Sequence, residues 1–298
     1  MPDVTIGLGC AAGFLVIGAT GAVIGRFSFA KTVIYGLSLA LSLIALALAL
    51  TFLLRHAEAS TVILPLGLPG TGAHFRLDAL SAFFLLVVSL GGATTSLYAL
   101  GYGQSERAPL RVLPYYGAFL GGMTLVVLAA DAYSFLFAWE FMSLASWALV
   151  VAHYRDPAAV RAGYVYLVMA SFGTLCLLLA FGLLAHASGE YTFAAMRATK
   201  LGPEVAVAVA ALALVGAGSK AGVVPLHAWL PLAHPAAPSH ISALLSGVMT
   251  KVGVYGFVRI VFDVAADQSP WSGLVALTLG GVTAVLGVLY ALMQHDLK

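Results

Sequence analysis

The chain has 298 residues, 61% of them hydrophobic and 9% charged, with a mean hydropathy of +1.01. An ordinary soluble domain carries roughly 25% charged residues, so a soluble domain is excluded and an integral membrane protein is indicated. The formal net charge of +2 and the lack of any Lys/Arg run leave no phosphate-binding patch, and no nucleic-acid partner is expected.

Nearly uncharged windows close to the ~20 residues needed to cross ~30 Å of hydrocarbon recur along the chain. Nine such spans are expected, at 4–25, 32–54, 79–103, 112–130, 132–152, 162–185, 205–226, 241–262 and 271–294. The first begins with Asp3 in place of a basic segment and is too long for a signal peptide, so it reads as a retained span. Cys10 and Cys176 lie far apart in apolar runs and read as small buried hydrophobes. Long windows rich in Leu, Ala and Gly favour helices over barrel strands, and the expected fold is an all-α polytopic bundle.

Between spans, the segment 55–78 has β-branched runs punctuated by Gly and Pro, which suggests a small hairpin; 186–204 is the other long connection. Arg26, Lys31, Arg107, Arg111, Arg155, Arg161 and Lys298 fall on one side, and Arg55, Arg76, Arg197, Lys200 and Arg259 on the other. Seven against five places the N-terminus outside.

Three ionisable side chains lie where hydrocarbon is expected: Glu140, Lys220 and Lys251. Each costs about 2.5–3.5 kcal/mol at a helix centre, and an acid with two bases in that position reads as a charge or proton pathway. Gly222 follows Lys220 and Pro225 stands five residues beyond it, so the helix should open between 221 and 225. Irregular backbone at membrane depth is tolerated where protein or a wet cavity covers it, and it points to a transport site. A structural kink with a snorkelling lysine is the alternative.

The next stretch, PLHAWLPLAHPAAPSH, has four prolines and cannot be one regular helix. Its His227, His234 and His240 are candidates for a proton relay. Structural or capping roles stand beside that reading, and a metal site is disfavoured because no carboxylate or thiolate is near in sequence. On a regular helix from residue 240, His240, Leu244, Gly247, Lys251 and Tyr255 share a stripe, with His240 and Lys251 about 16 Å apart. Gly247 between them leaves room for water, or permits close helix packing. Glu140, Ser143 and Tyr133 are expected to face the bundle interior. A Glu140–Lys220 pair whose making and breaking alters the proton affinity of Lys251 is the expected device; pairing for structure alone, with Lys251 inert, is the alternative.

In FRLDALSAFF (75–84), FAWEFMSLASW (137–147), GSKAGVVPLHAWLPLAHPAAPSHISALLSGVMTKVGVYG (218–256) and LYALMQHDLK (289–298), the chain resembles the antiporter-like subunits shared by respiratory complex I, multisubunit cation/proton antiporters and membrane-bound hydrogenases. HPAAPSH with SGVMTKVG is most similar to the hydrogenase-4 component B and formate hydrogenlyase subunit 3 branch. The resemblance implies that Glu140 is the family's fifth-helix glutamate, Lys220 the lysine of the broken seventh helix and Lys251 that of the eighth. It also implies two inverted five-helix repeats. Residues 1–111 would then carry helices 1–3, residues 112–262 the first repeat, and 263–298 a ninth helix leading into a second repeat that this chain lacks.

The implied function is a proton-translocating, non-catalytic subunit of a hydrogenase-type respiratory complex in a bacterial inner membrane. It would hold no cofactor of its own. Its partners would be other membrane subunits and soluble nickel-iron hydrogenase and iron–sulfur subunits, and the ion a proton or sodium. A complex I chain of the L or M type, a sodium/proton antiporter subunit, and a passive membrane anchor are the competing readings.

Overall fold

Caps written into the sequence set where the helices start. Asp78, Asp131 and Asp156 hold extended backbone and accept from the backbone N–H of Ser81, Ser134 and Ala158, while Pro109, Pro157 and Pro203 open helices where a missing N–H is harmless. The computed structural model describes residues 2–67, 70–106, 108–265 and 270–294. Arg107, Lys298 and the end of the LYALMQHDLK motif (295–298) lie outside the described residues.

In chain order the elements are α1 (Asp3–Ile24), α2 (Ala30–Leu54), strands β1 (Ser60–Leu64) and β2 (Ala73–Leu77), α3 (Ala79–Tyr102), α4 (Pro109–Leu128), α5 (Ala132–Val150) and α6 (Pro157–Ser188). Then follow the short α7 (Phe193–Ala198), α8 (Pro203–Ala221), the short α9 (Leu230–Ala236), α10 (Ser239–Leu244), α11 (Thr250–Val258) and α12 (Pro270–Leu292). Wider π-helical turns, Leu245–Met249 and Arg259–Val264, join α10 to α11 and extend α11, making one span Ser239–Val264. Nine helices among the described residues are long and apolar enough to cross a membrane. The protein is a multi-pass, mostly helical membrane protein.

The strands pair antiparallel, Ser60 with Leu77 through Leu64 with Ala73; a bridge from Phe75 to Ala129 ties the hairpin to the α4–α5 connection, and one from Asp131 to Thr192 ties that connection to the one between α6 and α7. α6 is longer than the expected 162–185, because Pro157 starts it and the left-handed Gly189 ends it, so Arg161 lies within the helix. α8 stops at Ala221, short of the expected 226, and no helix resumes until Leu230.

Small residues let the spans approach. A Cβ on Gly18 would meet the carbonyl of Pro114 at 2.6 Å, and one on Gly117 the carbonyl of Phe14 at 2.6 Å, so α1 and α4 cross nearly backbone to backbone. A Cβ on Gly253 would come within 2.6 Å of the Ala221 nitrogen, which presses α11 against the end of α8.

Arg259, counted above among loop charges, is instead buried inside the span Ser239–Val264. Its guanidinium donates bidentately to Asp78 (2.7 and 2.9 Å), to Asp263 (2.8 Å) and to Ser81 (2.8 Å), which removes the cost of burial. Asp263 also accepts two bonds from Arg197 on α7 (2.6 and 2.8 Å). The start of α3, the end of the eighth span and the 186–204 connection are thus fastened together. Burial by itself raises the Asp78 carboxyl, yet the Arg259 bonds and charge, with the Ser81 N–H and Arg76, hold it at about 2.

A carboxyl held below its ordinary value contributes stability above that value and loses it as pH falls through the depressed one. Asp78→Asn should therefore cost about 2 kcal/mol at pH 7. In thermal melts in detergent, the gap between wild type and variant should be full at neutral pH and shrink below about pH 4.

Candidate functional site

Lys220 sits in the last turn of α8 and is 3% exposed. The helix ends at Ala221 and is capped by Gly222, two residues beyond Lys220, whose φ of 77° suits only glycine well and whose added Cβ would collide with the Leu230 side chain. Val223 N–H bonds back to the Gly218 carbonyl (3.0 Å) and the buried Trp229 indole donates to the Ser219 carbonyl (2.8 Å). These bonds satisfy carbonyls that the break at Pro225 would otherwise strand in an apolar setting.

The Lys220 amine donates to Ser143 Oγ (2.7 Å) and Tyr166 OH (3.1 Å). It also lies 4.9 Å from the centre of the Tyr166 ring, within cation–π range. Tyr166 OH continues to Ser146 Oγ (2.6 Å), and its ring stands edge-on to Trp229, 5.0 Å between centroids. The negative end of the α8 dipole adds a further favourable term for a cation in that last turn.

Glu140 lies one turn before Ser143 on α5 and is half-buried; its carboxylate accepts from Thr174 Oγ1 at 2.7 Å. It makes no ion pair with Lys220: the ion pairs among the described residues involve other groups. The expected direct contact is replaced by a ladder, with Glu140 and Thr174 on one rung and Ser143, Tyr166 and Lys220 on the next. Tyr133, expected to face inward with Glu140 and Ser143, is 41% exposed and stacks on Phe137, because it stands in the first turn of α5 at the rim of the bundle.

Lys251 is exposed in this chain; its amine donates to the Ser246 carbonyl (2.8 Å) and Thr250 Oγ1 (3.3 Å). His240 is buried against Tyr35, whose hydroxyl is 3.1 Å from Nε2, with Tyr116 beside it. The shared stripe expected for His240 and Lys251 is therefore absent: the π turn at Leu245–Met249 adds a residue without a matching rotation, so the two fall out of phase. An added Cβ on Gly247 meets nothing within 4 Å, so that residue opens on free space.

His227 and His234 do share a cavity of about 350 Å³ between the broken segment and α12, lined also by Ser246, Thr250, Thr283 and Tyr290. His234 Nδ1 is 2.8 Å from Ser242 Oγ, and the His227 ring centre is 5.5 Å from that of Tyr290. The cavity thus reaches from the Pro225 break to the residues that hold the Lys251 amine. Sequence reasoning missed Tyr166, Ser146 and Thr174; the available signal was a phenol and hydroxyls at three- and four-residue spacings within apolar spans.

Residues 129–298 match the family described as NADH:quinone oxidoreductase/Mrp antiporter, TM. The chain is 41% identical over 227 residues to hydrogenase-4 component B of Escherichia coli K12, covering 75% of this chain and 34% of that protein. It is 32% identical over 227 residues to NADH-quinone oxidoreductase subunit L of Mycobacterium tuberculosis, covering 75% and 35%. A chain in the structure of the Mrp complex from Dietzia sp. DQ12-45-1b superposes with a TM-score of 0.81 at 27% identity, covering 99% of this chain and 32% of that one. The chain spans about a third of the length of these relatives.

The site separates the worth of a charge from the worth of its partners. Ser143→Ala removes one acceptor from a buried amine and should destabilise the protein by about 1–3 kcal/mol. Lys220→Met, which removes the charge itself, should leave the thermal midpoint unchanged or raise it, measured in detergent at pH 7.

Proposed function

Because the chain belongs to the NADH:quinone oxidoreductase/Mrp antiporter transmembrane family, we propose that it is an ion-translocating membrane subunit in which Glu140, Lys220 and Lys251 carry protons in turn. The observation that carries this reading is the Lys220 amine, buried at the end of a broken helix and held by neutral hydroxyls, with no carboxylate in contact. A structural ion pair would place the acid against the base; here Glu140 stands one rung away and acts across a distance.

In this reading a proton on Lys220 is favoured while Glu140 is ionised and disfavoured once Glu140 takes up a proton of its own. Ser143 and Tyr166 position the amine. His227 and His234, with water in the cavity they line, connect the break to the face of Lys251; His240 belongs to a separate aromatic cluster and would act there. Lys251 lies on a face exposed among the described residues, and the proposed route continues from there. Residues 112–262 form the translocating repeat in this scheme.

The higher identity to the hydrogenase-4 chain than to the complex I chain favours a hydrogenase-type or formate-hydrogenlyase-type complex, with other membrane subunits and soluble hydrogenase and iron–sulfur subunits as partners. Moving one charge against 100 mV takes about 2.3 kcal/mol, comparable with the switching of a single buried charge interaction.

In the assembled complex, Lys251→Ala and Lys220→Met should each reduce proton translocation, read as acidification on substrate addition to inverted vesicles, by more than about tenfold, the effect of about 1.4 kcal/mol on one step. Redox activity and assembly of the soluble subunits should persist. Unchanged translocation refutes the roles; loss of assembly in place of loss of transport supports a passive anchor.

A further inference from the structure

The turn between α5 and α6 and the first turn of α4 enclose a second cavity of about 580 Å³, lined by Ala108, Arg111, His153, Tyr154, Arg155 and Asp156. It has no part in the route above. The Arg111 guanidinium carbon lies 3.8 Å from the centre of the Tyr154 ring. Arg155 first, then Arg111, pull the Tyr154 phenol below its ordinary range, as surplus positive charge does.

The acids close to this cavity are already engaged. Glu106 accepts from the Ala108 N–H (2.8 Å) and lies 3.1 Å from His153 Nε2, while Asp156 caps α6 through the Ala158 N–H (2.9 Å). The ion pairs among the described residues include neither Arg111 nor Arg155. Two exposed guanidiniums thus converge on a concave surface and a phenol, against one lining carboxylate, Asp156, which caps α6 and pairs with neither.

From Asp156 the outward face of α6 continues at four-residue intervals through Val160, Tyr164, Val168 and Phe172, all at least 49% exposed. Tyr115 and Leu110 of α4 are exposed as well. A small soluble anion would use only the arginines, whereas a molecule with an anionic head and apolar chains would use both surfaces. Basic pockets between spans at the membrane surface suit such headgroups, and tyrosines mark that depth.

We propose that the cavity between the start of α4 and the α5–α6 turn binds the phosphate of an anionic membrane phospholipid, with Arg111 and Arg155 as its hydrogen-bonding cations and the exposed stripe of α6 against its acyl chains. Planar guanidiniums match phosphate oxygens in pairs, which a lysine does not. This inference is independent of the transport reading.

The test uses the full chain purified in uncharged detergent and titrated with phosphatidylglycerol, with phosphatidylcholine of the same chains, or with inorganic phosphate. Retained lipid is counted by native mass spectrometry and the thermal midpoint followed in parallel. Phosphatidylglycerol should bind and raise the midpoint, and the other two should do neither. Arg111→Gln with Arg155→Gln should weaken phosphatidylglycerol binding about thirtyfold, and either change alone about fivefold. Arg26→Gln with Arg55→Gln, which removes the same charge elsewhere, should leave it unchanged. The proposal is overturned if the double variant retains as much phosphatidylglycerol as the wild type, or if inorganic phosphate alone saturates the site. It is also overturned if an acidic protein segment of the assembled complex cross-links to Tyr154 and excludes lipid.

Discussion

The structure depends on how one helix ends inside the bundle. A helix terminus at membrane depth exposes carbonyls that lipid cannot satisfy, and an amine placed there has no water to share its charge. The end of α8 meets both demands with the same few residues. Gly222 turns the chain back so that Val223 reaches Gly218, Trp229 covers Ser219, and Tyr166 packs on that indole while accepting from Lys220. The close approach of α11 at Gly253 then brings the second lysine-bearing segment against the break. Backbone closure, aromatic packing and amine solvation therefore share the same few residues.

The end of the bundle that carries the hairpin is organised on the opposite logic. Arg259 is fully paired, with Asp78 and Asp263 on either side and Arg197 behind. Carboxylates in direct contact lock charge in place and fasten α3, the eighth span and α7. At the opposite end, Arg111 and Arg155 stand exposed around a cavity and outside any ion pair among the described residues. Basic side chains thus stand in three settings: Arg259 with acids in contact, Lys220 with neutral hydroxyls in contact and Glu140 one rung away, and Arg111 and Arg155 exposed and outside any ion pair.

Much of this was readable beforehand, for physical reasons. A bilayer imposes length and apolarity on every span, so the number and approximate places of the helices follow from composition alone. Pro225 announced the break because its ring cannot fit a regular helix. Other features were hidden because they arise between elements. Arg259 looked like a boundary charge, since nothing in the eighth span reveals that Asp78, about 180 residues earlier, faces it. The His240–Lys251 stripe assumed a constant helical pitch, and one π turn invalidated it. Glu140 and Lys220 were the only evident partners for each other in their spans, yet Thr174, Ser143 and Tyr166 lie between them in role, and hydroxyls leave no mark in a hydropathy profile.

Both lysines of the inner region share one feature whose effect is on charge bookkeeping at the nitrogen. Lys220 donates to two neutral oxygens, and so does Lys251, to Ser246 and Thr250. An ammonium has three hydrogens to give and a neutral amine two. The uncharged side chain can therefore keep every one of these contacts, and the hydrogen that leaves is the one to which the protein offers no fixed acceptor. In the relay proposed above, neither cradle would have to rearrange as its proton came and went, and exchange would wait only on a water or a neighbouring group reaching that third position.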